Sequence, residues 1–388
     1  MESGSLKRIT IVATAMVVLI GGLFLTVFRS GTGTAGARSA DGRAATSGTA
    51  AARIDLEHRV TDFTASFGRD GGYRPPTEAE RATVAGGVGL LLDHREQAAR
   101  DRLAEVGFVL RTLTDSASGR RFAEIADSHE GGTGNRGWGR IYVDLSAPVH
   151  WSVQVPHPVA DEDSEKLGVG VLRGTPGGVM VLAGAHRRSG EGNAADVAHR
   201  QDTVFDAVCA ELVHRRLPGI QVHGFADSSQ PGSDVIVSTG KADDARAEAR
   251  ALAAALTDHG FDVCRSWARD CSLEGRTNEQ SGVAAAFHVP FLHVEFSRSV
   301  RSGDRRIARA VLAIDTVTAR WDAAYGQGTI TPASPSASAR ASRLRRPVRA
   351  SRPTPSRHRA AVDNGASVAG RGRAGGERVT VGADGTAE

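Results

Sequence analysis

Cysteine is scarce in this 388-residue chain, which has only three: Cys209, Cys264 and Cys271. Their spacing matches no cysteine-based zinc site, so a metal here would need imidazole and carboxylate donors. Cys264 and Cys271 are near enough to close a short disulfide loop in an oxidising compartment. Cys209 falls on the apolar face of an expected helix and reads as a buried free thiol. Nucleotide-binding signatures are also missing. Neither G-x-G-x-x-G nor G-x-x-x-x-G-K-[ST] stands where a strand meets a helix, which argues against a nucleotide-binding α/β domain. No internal repeat is evident. Acidic residues are absent from residues 340–359, where eight arginines occur.

Residues 9–28 carry no charge and follow Lys7 and Arg8. As a helix they would span about 30 Å, the thickness of a bilayer core. The charge bias puts the N-terminus in the cytoplasm and the rest outside, so the expectation is a single-pass anchor with an extracellular domain. A cleaved signal, with a secreted product, is the rival because Ala35-Gly36-Ala37 offers a small-x-small site. The apolar run exceeds the roughly 7–15 residues of a signal core, which favours the anchor.

Composition divides the chain into four parts: the apolar segment at 1–29, a Gly/Ala/Ser/Thr-rich flexible linker at 30–54, a domain at 55–326 and an Arg/Pro/Ser-rich tail at 327–388. The tail lacks the apolar content needed to offset ordering entropy and reads as disordered. The formal net charge of +4 falls to about −4 without those eight arginines, so the basic character resides largely in the tail. It suits an anionic wall polymer or membrane surface, and no specific nucleic acid is expected.

Between the flanks, partly helical sequence at 56–102 precedes a hairpin at 108–125 and strands near 141–145 and 151–155. Strands near 178–183, 220–223, 235–237, 261–264 and 291–295 then alternate with helices near 202–216, 242–259 and 306–321. This pattern predicts an α/β fold: a mixed, mainly parallel sheet with helices on both faces.

Three polar clusters stand at strand ends. One holds His186 and Arg187, followed by Glu191, Asp196, His199 and Asp202. The second is His223-Gly224. The third is His293, Glu295, Arg298 and Arg301. Ligands of open α/β sheets bind beyond the carboxyl ends of strands. Two imidazoles and a carboxylate are a usual set for a catalytic zinc, with a separate carboxylate as general base. Pro156-His157-Pro158 with Asp161 could also reach this cleft, although a loop entering a helix needs no function. His214, His259 and His288 read as surface or cap residues, and Asp202 as an N-cap.

The run from His186 to Arg301 resembles the carboxypeptidase-like zinc amidohydrolases, particularly the poly-γ-glutamate hydrolase branch. His186, His223-Gly224, Asn278 and Glu295-Phe296-Ser297-Arg298 carry the resemblance. It implies a metallocarboxypeptidase-like fold with Zn2+ bound by His186, His223 and either Asp196 or Glu191. Asp196 is slightly preferred, and His293 is left as a ligand or a neutral neighbour. Glu295 would be the catalytic base, while Arg298, Arg301, Arg187 and Asn278 would meet a carboxylate-bearing peptide or γ-glutamyl polymer. The rival is a catalytically inactive domain that binds a cell-wall polymer or protein partner.

Overall fold

The structure is a computed structural model that describes residues 51–129 and 135–326. The apolar run at 9–28, most of the linker and the tail lie outside the described residues, as do the readings placed on them. Among the described residues, no helix is long and apolar enough to cross a membrane.

β1 (Ala52–Ile54), α1 (Leu56–Thr64), α2 (Glu78–Leu92) and α3 (Glu96–Ala104) precede a hairpin of β2 (Phe108–Asp115) and β3 (Arg121–Asp127). Next come β4 (Arg140–Asp144), β5 (Trp151–Val155), α4 (Ser164–Gly174), β6 (Gly178–Leu182) and α5 (Val204–His214). The chain continues through β7 (Gly219–Phe225), β8 (Val235–Ser238), α6 (Arg246–Asp258), β9 (Val263–Arg265) and α7 (Glu279–Ala286). β10 (Phe291–Ser297), α8 (Arg298–Arg301) and α9 (Asp304–Gly326) complete it.

The expected elements form, with local differences. β1 pairs in parallel with β2, Ala52 opposite Leu113, so ordered structure begins within the stretch read as linker. The cap of α5 is Thr203, whose hydroxyl accepts from the Asp206 amide, while Asp202 pairs with Arg200. Gly260, at φ +81°, follows the end of α6 as expected of a C′ glycine. Cys264 and Cys271 are joined, with their Cα atoms 6.1 Å apart, and Cys209 is a buried free thiol.

Among the described residues, ten strands form one sheet in the order β1-β2-β3-β4-β6-β5-β7-β10-β8-β9. The central strands β6, β5, β7 and β10 are mutually parallel, whereas β3, β4 and β8 are antiparallel to their inner neighbours. One face packs against α1, α4, α6 and α9 through Trp151, Val153, Ile220, Val222, Leu292 and Val294. The other carries α2, α3 and α5 over Leu110, Ile125, Ile141 and Val181.

Alternation along a strand sends successive side chains to opposite faces. In β5, β7 and β10, the face opposite this apolar set includes Gln154, Gln221, His223, His293 and Glu295, all buried. The register places Gln154 and His293 beside Gln221, and Glu295 beside His223. A buried polar group costs free energy unless it finds a partner. This concentration on three adjacent strands therefore marks the part of the interior adapted to something other than packing.

Candidate metal centre

β5, β7 and β10 run parallel and adjacent, so their carboxyl ends open at one edge of the sheet, the usual ligand position in open α/β folds. His157 lies two residues beyond β5, and Asp161 follows just before α4. His223 lies near the end of β7 and Glu295 near the end of β10. One donor atom each from His157, Asp161 and His223 lies within 4.8 Å of the others, and all three residues are buried.

The hydrogen bonds around these rings orient them. Gln221 Oε1 accepts from His223 Nε2 at 2.7 Å and also from Asn278, while Gln221 Nε2 donates to Gln154 and Gln280. All four bonds of this buried amide are used, so its orientation is fixed and His223 carries its proton on Nε2. His223 Nδ1 then faces Asp161 Oδ2 at 3.4 Å. His157 is turned in the same way. Its Nε2 meets Asp196 Oδ1 at 2.8 Å, and its Nδ1 also lies 3.4 Å from Asp161 Oδ2. His157 Nδ1 is buried without a hydrogen-bond partner. Two imidazole nitrogens and a carboxylate oxygen thus converge, each ring held from behind by an acceptor, as metal-ligating histidines usually are.

Charge agrees with geometry. Burial alone would raise the Asp161 carboxyl, but the facing His157 and His223 hold it well below its ordinary range. His157 is pushed up: burial opposes its charge, but Asp161 and Asp196 outweigh that cost. Burial pushes His223 down to about 4. The Asp161 carboxylate thus faces both imidazoles from a buried position, where its negative charge would attract a cation.

Two other donor groups overlap this one. In His157, Asp196 and His199, the contacts to Asp196 are ordinary hydrogen-bond distances, and the Arg187 guanidinium occupies the other carboxylate oxygen at 2.8 Å. A cation there would meet that positive charge. The third group is His223, His293 and Glu295. The His293 ring stacks on His223 with centroids 4.5 Å apart, and its Nε2 is 3.9 Å from Glu295 Oε1. His293 Nδ1 and Glu295 Oε2 are buried without partners. Burial, followed by the charge of Asp161, pushes the Glu295 carboxyl up.

The structure thus brings His223 and Glu295 together but moves the rest of the expected ligand set. His186 lies past the end of β6, partly exposed, with Nδ1 accepting from the Arg188 amide. Among the described residues, neither His186 nor Glu191 belongs to any of the three groups, and Glu191 is exposed. Asp196 stands behind His157, where it accepts from His157, His199 and Arg187. His157 and Asp161, read from sequence as a loop that needed no function, occupy the centre.

The expected substrate contacts also change. Asn278 caps α7 through the Ser281 amide and supports Gln221 from beneath the site. Arg298 pairs with Glu162 and Asp163. Arg301 is buried and donates to the carbonyls of Phe296, Phe225 and Glu162, so it ties the ends of β10 and β7 to the loop behind Asp161. Gly224 makes room for it: a Cβ there would come within 2.3 Å of the guanidinium, and the Gly224 amide donates to Asp161 Oδ2 at 3.1 Å. Arg187, about one-third exposed and paired with Asp196, is the one of the three arginines that stands beside the imidazole cluster without being buried among backbone carbonyls or tied to the Glu162–Asp163 loop.

Arg301→Ala would strand three carbonyls, each costing about 1–3 kcal/mol if left unsatisfied. Chemical denaturation should therefore show a loss of more than about 2 kcal/mol, while Arg298→Ala should stay within about 0.5 kcal/mol. Unchanged stability with weakened binding of an anionic substrate would return Arg301 to a substrate-binding role.

No family model and no curated protein matches the chain. Among solved structures it is similar to a bacteriophage poly-gamma-glutamate hydrolase at 14% identity, covering 48% of this chain and 89% of that one, with a TM-score of 0.34. It is also similar to a metallo-carboxypeptidase from Burkholderia cenocepacia at 12% identity, covering 59% and 68%, with a TM-score of 0.29. A succinylglutamatedesuccinylase/aspartoacylase from Rhodobacter sphaeroides is similar at 13% identity, covering 54% and 62%, again at 0.29. These are likenesses of fold alone, and the chemistry must be argued from the site.

Proposed function

We propose that the domain is a zinc-dependent amide hydrolase acting on a carboxylate-bearing peptide or γ-glutamyl polymer. The observation that supports this reading is the convergence of His157 Nδ1, Asp161 Oδ2 and His223 Nδ1, all buried, with Glu295, whose Oε2 is buried without a hydrogen-bond partner, in the adjoining donor group. Two imidazoles and one carboxylate are a donor set that leaves zinc an open position. When bound, such an ion supplies Lewis acidity, which polarises a carbonyl and acidifies water.

The chain's own residues would do the rest. Glu295 takes a proton from the attacking water and returns it to the departing amine. Asp196 and Gln221 hold the two imidazoles in the required tautomers. Arg187 offers a planar guanidinium to a substrate carboxylate. The reading also includes export, with the domain outside a membrane to which residues 9–28 anchor it, and attraction of the basic tail to an anionic polymer.

Incubation with short γ-glutamyl and α-linked peptides tests the activity. Released amino groups should appear with at least one class, disappear on chelation and return with added zinc. Metal binding without turnover of either class would favour the inactive binding domain instead.

A further inference from the structure

α4 and α9 pack closely where α4 carries two glycines one turn apart. A Cβ at Gly170 would collide with Val311, and one at Gly174 with Asp315 Oδ1. Asp315 is therefore pressed against the last residue of α4. A carboxylate is badly placed there, because the carbonyls at a helix C-terminus already carry partial negative charge. Nothing offsets this among the described residues: Oδ1 is buried without a hydrogen-bond partner, and the carboxyl forms no ion pair. A buried, unpaired carboxylate costs free energy, and burial pushes this one up to about 6.

The charged groups around Asp315 are engaged elsewhere or share its sign. Arg120, in the turn before β3, opposes the rise, but its guanidinium is donated to Asp144 and to the Leu172 carbonyl. From α4, Lys166 pairs with Asp163 at 2.8 Å, and Arg173 is shared among Asp55, Glu57 and Asp115. Glu57 of α1 and Asp304 of α9 add two further carboxylates. With these groups Asp315 lines a cavity of about 450 Å³ between α1, α4 and α9, within the range of small-molecule sites. The rest of its wall is small or apolar, formed by Gly170, Ile307, Ala308, Val311 and Leu312, the last 55% exposed.

We infer that this cavity binds a small organic ammonium, its charged head on Asp315 at the end of α4 and its apolar body along Ile307, Val311 and Leu312. A hard metal ion would want several oxygen ligands converging on one point, whereas here a single free carboxylate adjoins an apolar wall. None of these residues belongs to the imidazole cluster, and the inference does not depend on the hydrolase reading.

Calorimetric titration of the full chain at low ionic strength, with n-hexylammonium and its neutral analogue 1-hexanol as probes, tests it. At pH 8 hexylammonium should bind saturably and at least tenfold more tightly than hexanol. The ionised carboxylate is the binding form, so affinity falls as pH drops through about 6. At pH 5, with about a tenth of the carboxyl ionised, hexylammonium should bind about tenfold more weakly while hexanol is unaffected. Asp315→Asn should erase the preference for the ammonium without loss of stability, since it removes a buried charge that has no partner. Leu312→Ser, at an exposed position that the fold tolerates, should weaken both probes. The inference is overturned if hexylammonium does not saturate, if hexanol binds as tightly, or if folded Asp315→Asn binds hexylammonium as the parent does.

Discussion

Replacing His157 with Ala is expected to empty the metal site while leaving the sheet intact. The imidazole supplies one of three converging donors, and its Nδ1 has no other partner to lose. Loss of a supporting partner behind a ligand typically lowers metal affinity roughly 10–100-fold, and loss of the ligand itself should exceed that. His223→Ala and Asp161→Asn should behave like His157→Ala. Asp196→Asn should fall in the smaller range, because Asp196 orients the ring through a 2.8 Å hydrogen bond. His186→Ala should leave affinity unchanged. Competition with a chromogenic zinc chelator separates the three classes. Equal losses for His157→Ala and His186→Ala would mean that the rings share one site.

Glu295→Gln is expected to keep the metal and the fold while lowering turnover about 10²–10⁴-fold, the usual contribution of a positioned general base. The amide has the same shape, and Glu295 Oε2 makes no hydrogen bond that the change could break. What disappears is the capacity to accept a proton. A kcat loss with little change in KM is the expected signature. If the variant instead releases its metal, Glu295 is a ligand. If it retains full turnover, the base lies elsewhere, and His293, 3.9 Å away, is the next residue to change.

Much of the architecture was readable because the central strands are short apolar runs separated by amphipathic helices. His223 and Glu295 were readable for the same reason, since each sits near the end of an unmistakable strand. The pair that joins His223 in the candidate site, His157 and Asp161, was hidden by topology. Sequence order places His186, after β6, just before the helix that leads to β7. In the sheet, however, β5 lies between β6 and β7. The carboxyl end of β5, with His157 beyond it, therefore adjoins His223, while His186 stands one strand farther out. Crossovers of this kind leave no local mark. The prolines flanking His157 also made its segment read as a plain loop.

One signal in the sequence was stronger than the strand ends. Gln154, Gln221 and His293 interrupt the alternation of strands otherwise expected to be buried on both faces. Buried amides and imidazoles on β5, β7 and β10 nominate those three strands, and hence His157, without knowledge of the sheet order. The hydrogen bonds of Arg301 were hidden for a related reason. A guanidinium close to a catalytic carboxylate suggests a substrate anion, but Gly224 gives it a berth among backbone carbonyls.

The most direct test of the central claim is the anomalous scattering of crystals of the zinc-loaded protein, recorded on either side of the zinc absorption edge. The account requires one strong peak within bonding distance of His157 Nδ1, Asp161 and His223 Nδ1, with Glu295 beside it and not bonded. A peak at His186, a peak between His157 Nε2, Asp196 and His199, or no peak after loading would contradict it.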